Sequence, residues 1–179
     1  MKLTISRSKL LKSLQHVQSV VERRNTIPIL SNVQLSAYDS EVELIATDMD
    51  IWVRDKTPAV VSEEGTATAP AHMLFDIVRK LSEDGDIAIE VKGNSEELKL
   101  KSGSSNFTLA CLPVEDFPAT SDADLSCQFE MKAADLRHLI DKTRFAISTE
   151  ETRYYLNGIY LHAVTAGKLP VLRSVATDG

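Results

Sequence analysis

The chain predicts an α+β fold in which a domain is two copies of one unit: strand, helix, and three further strands. Three observations carry this. The apolar period switches from two to helical and back, twice, between residue 1 and about residue 112. Short strand-like runs are separated by polar and glycine turns throughout. The same order of elements then starts again after residue 127. Two helices backing antiparallel sheet is the architecture that this order implies.

In chain order, "KLTIS" alternates as a strand, and Leu10, Leu14, Val17 and Val21 then form one stripe of a helix. Lys9, Lys12, Gln15, His16 and Ser19 lie on its other side. After the loop "ERRNTIP" come three strand-like runs, "ILSNVQLSA", "EVELIATD" and "IWVRDKTPAVV". The second half opens on "GTATAPAHMLFDIVRKL", a strand running into a helix with Pro70 at its start, where a missing N–H costs nothing. Leu74, Ile77, Val78 and Leu81 make its inner stripe, with His72, Asp76, Arg79 and Lys80 facing outward. "DIAIEVK", "ELKLKS" and "NFTLACL" follow as strands.

"LPVEDFPATSDADLS", rich in acids and proline and without periodicity, reads as a linker. Beyond it the N-terminal pattern returns at an offset of 126 residues, placing Leu10 on Leu136, Leu14 on Ile140, Leu30 on Leu156 and Val33 on Ile159. A longer hairpin loop, "TAGKLP", shifts the offset to 130, which sets Ala176-Thr177-Asp178 on Ala46-Thr47-Asp48. The expected domains are therefore residues 1–121 and the first part of a second domain, 122–179.

At 179 residues and 43% hydrophobic side chains, the chain is long enough for a sizeable core. No apolar run approaches a membrane span and no secretory signal is visible, so a cytoplasmic protein with no membrane partner is expected. Cys111 and Cys127 stand apart from each other and from any histidine, as buried reduced thiols do; neither a metal site nor a cofactor is indicated. The net charge is −6, yet residues 1–30 carry +5 and the remainder −11. Such a chain repels polyanions over most of its surface and accepts them on one part of it.

Two chemistries fit the remaining signals. Asp48, Asp50 and Asp178 are carboxylates able to grip a divalent cation, which makes a metal-dependent enzyme the alternative reading. The other reading of Asp48 is a strand-ending turn in which the carboxylate accepts backbone N–H bonds. Phosphate loops, dinucleotide fingerprints and nucleophile elbows are missing from the sequence. The outward helix faces bring basic groups three times: Lys9 and Lys12, then Arg79 and Lys80, then Arg137 and Lys142, with Arg24 on a loop after the first helix. On one surface they would make a track suited to phosphates and blind to base identity.

"TIPILSN", "ATDMD", "CLPVEDFP", "RYYLNG" and "VATDG", in this order and spacing, closely resemble the bacterial DNA sliding clamps, the β subunits of the replicative DNA polymerase III, over the whole chain. The resemblance implies a clamp fold with helices inside and antiparallel sheets outside, three domains in a chain of about 380 residues, and two chains closing into a ring. Here a third domain is absent and the second stops part-way. It implies a non-enzymatic processivity factor that slides on double-stranded DNA without regard to sequence. DNA polymerase III, the clamp loader and other proteins with clamp-binding motifs are the implied partners, with a homodimer for the full-length chain. A peptide-binding cleft is implied at Arg153, Leu156, Thr177 and Gly179, where the arginine stem and the leucine offer apolar surface.

Overall fold

The computed structural model describes residues 1–23, 26–93, 96–119, 129–166 and 169–179. It divides into two compact units, Met1–Asp122 and Ala123–Gly179.

Unit 1 runs β1 (Lys2–Ser6), α1 (Arg7–Val17), β2 (Asn32–Tyr38), β3 (Glu41–Thr47), β4 (Trp52–Pro58), β5 (Val60–Glu63), β6 (Gly65–Pro70), α2 (Ala71–Lys80), β7 (Asp86–Glu90), β8 (Glu97–Ser102) and β9 (Ser105–Ala110). Two antiparallel sheets form, in the orders β5-β1-β7-β8-β9 and β4-β3-β2-β6. Each half therefore donates its first strand to the other half's sheet. Strand β1 pairs with β7 from Lys2↔Glu90 to Ser6↔Asp86, and β6 pairs with β2 from Asn32↔Pro70 to Ala37↔Gly65. The halves are interlocked and share one core.

That core follows from the two periods in the sequence. Alternate residues of β1, β7 and β8 (Leu3, Ile5, Ile87, Ile89, Leu98 and Leu100) are buried, and they meet Leu10, Leu14 and Val17 of α1 and Leu74 and Val78 of α2. Burial of each large aliphatic side chain contributes about 1.5–3 kcal/mol. Helix α1 starts where the hydroxyl of Ser6 accepts the N–H of Lys9 at 3.4 Å. It stops earlier than its stripe predicts: Val21 is buried, but from the turn beyond the helix.

Three strand boundaries also differ from the sequence reading. "PILS" is a 3-10 turn, Pro28–Ser31, and the strand begins at Asn32. "IWVRDKTPAVV" is two strands in two different sheets, broken at Ala59, because Pro58 has no N–H to continue the ladder. The first part of the supposed linker is structured as well. Val114–Asp116 forms a 3-10 turn, and Phe117 is buried with Ile29, Leu30 and Ile45, flanked by Leu112.

Unit 2 contains α3 (Ala133–Thr143), the 3-10 turns Arg144–Ala146 and Glu151–Leu156, and a hairpin of β10 (Tyr160–Ala166) with β11 (Leu169–Val175). The hydroxyl of Ser174 on β11 donates to Leu139 O of α3 at 3.1 Å. "RYYLNG", read from sequence as a strand start, lies mostly in a 3-10 turn instead. Two strands and one helix cannot enclose a core. Ile140, expected on an inner stripe, is 37% exposed, and Phe145 and Leu169 are more exposed still.

Candidate nucleic-acid interface and peptide pocket

Helices α1 and α2 lie side by side and antiparallel, tied at both ends. At one end Arg7 of α1 donates through Nε to Val78 O at 3.0 Å and through Nη2 to Arg79 O at 2.6 Å, satisfying carbonyls that the end of α2 leaves unpaired. At the other end His72 of α2 bonds Val21 O through Nε2 at 2.9 Å, and its Nδ1 lies 3.1 Å from the side-chain amide of Gln18. Because the carbonyl of Val21 can only accept, Nε2 carries a proton. His72, expected on the outward face, is thus half-buried in the joint between the helices.

The joint sets the basic side chains on one helical layer. Lys9 and Lys12 project from α1 and Arg79 and Lys80 from the last turn of α2, all exposed. Lys9, near the start of α1, is at the same end of the layer as Arg79 and Lys80. No acid within 4 Å pairs with Lys9, Lys12 or Lys80 among the described residues, whereas Arg79 binds Asp76 at 3.0 Å and lies over the Phe75 ring at 5.6 Å. His16, on the same side of α1, is held by Asp55 at 2.6 Å. Arg24 lies outside the described residues. In unit 2, α3 exposes Arg137 and Lys142; Arg137 pairs with Asp141 at 3.5 Å, and Asp141 also meets Arg144 at 3.7 Å. Pairs this exposed contribute about 0–1 kcal/mol and yield readily to a phosphate.

Asp48 closes a turn. Its Oδ1 accepts the N–H groups of Asp50 at 3.0 Å and Ile51 at 2.7 Å, and Thr47 Oγ1 accepts that of Met49 at 2.9 Å. Among the described residues no group of three or more His, Cys, Asp or Glu side chains is placed to hold a metal ion. The metal-enzyme reading of Asp48, Asp50 and Asp178 has no support in this geometry.

The second triplet repeats the first. Thr177 Oγ1 accepts the N–H of Gly179 at 3.1 Å, as Thr47 does that of Met49. Both acceptor turns place a positive φ two residues on, 112° at Gly179 and 82° at Met49. Beside this turn is a pocket of about 250 Å³ lined by Tyr155, Leu156, Ile159, Tyr160, Val175 and Thr177, among others. Arg153 stands at its margin, doubly bonded to Glu150 at 2.8 and 2.7 Å. A side chain at Gly179 would collide with the Arg153 guanidinium. All four expected cleft residues thus gather in unit 2. Tyr155 and Val175 were missed, although the offsets that align the repeats set them on the buried pair Ile29 and Ile45.

Cys111 is half-buried, and burial pushes its thiol above its usual value; the nearby Glu97 carboxylate adds to this and a backbone bond at Leu98 opposes it. Cys127 lies outside the described residues. No helix among the described residues is long and apolar enough to cross a membrane.

Comparison with known proteins gives the same picture over the whole chain. Residues 1–121 match the family model for the DNA polymerase III beta subunit, N-terminal domain, and residues 130–179 match that for its central domain. The chain is 53% identical over 179 residues to the beta sliding clamp of Caulobacter vibrioides and 38% identical over 180 residues to that of Escherichia coli K12, covering all of this chain and 48% of each relative. A crystal structure of the Caulobacter crescentus beta sliding clamp superposes with a TM-score of 0.95 over 100% of this chain and 48% of that one. The Bartonella birtlesii sliding clamp bound to griselimycin, 47% identical, superposes with a TM-score of 0.94 over 99% of this chain and 47% of that one. The chain spans about half the length of the curated relatives it matches.

Proposed function

Since the chain belongs to the DNA polymerase III beta subunit family, the bacterial sliding clamps, we propose that the protein it represents is a ring-shaped, non-catalytic processivity factor that encircles duplex DNA. The observation that carries this reading, beyond kinship, is the helical layer of unit 1. An acidic chain exposes Lys9, Lys12, Arg79 and Lys80 together there, held by Arg7 and His72. Arg24, Arg137 and Lys142 are assigned to the same DNA-facing role. Flexible lysines in water attract phosphates weakly and without fixed direction, so contacts exchange as the ring moves. A closed ring retains the DNA by topology, and strong contacts would oppose sliding.

The domain organisation follows the same reading: residues 1–121 are one clamp domain, residues 122–179 begin a second, and a third completes the family's chain. Ring closure needs a surface for a second copy. The groove of about 650 Å³ between α2 and the edge strand β9, floored by Ile77, Leu81 and Phe107, offers apolar area beside an open sheet edge. In unit 2, Arg153, Leu156, Thr177 and Gly179 are assigned to a cleft for short peptide segments of the polymerase, the clamp loader and other DNA-acting proteins. An apolar pocket with one cation and a turn at its rim supports this.

Retention on circular against linear DNA tests the proposal with the full-length protein. Retention on circles that disappears on linearisation is expected. Equal loss from both would sink it.

A further inference from the structure

The pocket of unit 2 has a filled counterpart in unit 1. Under the offsets that align the two repeats, its lining residues Tyr155, Leu156, Val175 and Thr177 fall on Ile29, Leu30, Ile45 and Thr47. In unit 1 the first three of these are not open. Ile29, Leu30 and Ile45, at 7%, 2% and 7% exposure, are covered by Phe117, itself 7% exposed, with Leu112 alongside.

The covering segment is held by its backbone as a bound peptide would be. Leu112 N–H donates to Thr68 Oγ1 at 3.0 Å, and the Thr68 hydroxyl donates to Leu112 O at 2.7 Å. The buried amide of Asn32 donates to the same hydroxyl at 3.0 Å. Between the two anchors Val114–Asp116 make a single 3-10 turn, closed by Phe117 N–H on Val114 O at 3.1 Å, which turns Glu115 and Asp116 out to solvent.

We propose that Leu112–Phe117 is a built-in ligand that plugs unit 1's copy of the pocket, so that unit 1 is a latent second peptide site. The proposal rests on reading the unit 2 pocket as a peptide cleft. The occupant is an extended acidic segment with an aliphatic and an aromatic anchor, and its charge suits unit 2 better than unit 1. Arg153 stands beside the unit 2 pocket where Ile27 stands in the first repeat. With unit 1 plugged, partner peptides engage one pocket rather than two, which gives the chain a single docking direction.

The test uses an acetylated heptapeptide copied from residues 112–118, Leu-Pro-Val-Glu-Asp-Phe-Pro, titrated into this chain with methyl NMR and calorimetry. With the unsubstituted chain it should bind once, shifting Leu156 and Val175 and leaving Ile29, Leu30 and Ile45 unmoved. The same peptide with alanine for phenylalanine should bind at least about tenfold more weakly, the worth of one buried aromatic ring. Phe117→Ala should raise the stoichiometry from one to two, with new shifts at Ile29, Leu30 and Ile45. A folded Phe117→Ala chain that still binds one peptide would overturn the proposal. So would silence at Leu156 in the unsubstituted chain, an arm that does not depend on the variant folding. If a peptide from a replicative polymerase engages Leu156 while the heptapeptide does not, the built-in ligand fails and the cleft stands. Should neither engage it, the cleft fails too.

Discussion

At the scale of single residues, the carboxylates and the lysines divide by what surrounds them. Asp48 commits its oxygen to two backbone N–H groups of a turn, whereas Lys9 and Lys12 stand in water without an acidic partner within reach among the described residues. The turn was legible from an acid closing a strand, and the exposure of the lysines from helical spacing. The roles of Arg7 and His72 were not, because both depend on the end of a helix more than 50 positions away in sequence. Replacing Lys9 and Lys12 by alanine in the full-length protein should weaken DNA association and flatten the salt dependence of log K by roughly 0.9 for each phosphate no longer neutralised. An unchanged slope in an affinity series across salt would mean that the two side chains are merely solvated. Cys111 offers a pH test. Its folded pKa is raised from 9.0 chiefly by burial, so the thiol contributes stability fully below that value and loses it as pH rises through the folded pKa. Peptide-resolved alkylation near pH 9 should therefore be slower at Cys111 in the folded chain than in the urea-unfolded chain. Equal rates would contradict the burial.

Elements show where local pattern suffices and where it fails. The stripe Leu10, Leu14, Val17 was readable because a helix repeats every 3.6 residues and its buried face must be apolar. Strand edges were harder, since the run Trp52–Glu63 keeps strand-like composition across a break that sends β4 and β5 into different sheets. Pro58 was visible, but a proline marks an edge strand as readily as a break. Phe117 was lost in a stretch without periodicity, because one aromatic anchor produces none. Leu14, with no exposure, is central to the shared core. Leu14→Ala should cost about 2–5 kcal/mol in urea unfolding. A cost below about 1 kcal/mol would mean that the helix is not packed on the sheets as described.

For the whole molecule, the decisive feature of unit 1 is the exchange of first strands, β1 into the sheet of β7 and β6 into the sheet of β2. Neither half can leave without breaking both sheets, so unit 1 should open as one cooperative body. Unit 2, with α3 and a two-stranded hairpin, buries none of its described large hydrophobic side chains. Hydrogen exchange on this chain should show the amides of β2, β3, β7 and β8 protected far longer than those of β10 and β11. Comparable protection in both units would show that unit 2 has gained cover from a source outside its own residues.

The sequence by itself determined the element types, the repeat and the family, because period, turn chemistry and motif spacing are local and survive in one dimension. It also placed Lys9, Lys12, Arg79 and Lys80 on exposed helix faces and brought Arg153, Leu156, Thr177 and Gly179 under suspicion as a group. Tertiary structure alone decided that the halves interlock, that Arg7 and His72 join the two helices, and that Phe117 fills in unit 1 the place left open in unit 2. These are contacts between segments far apart in the chain. They depend on which surfaces meet in space, and no short-range pattern encodes that.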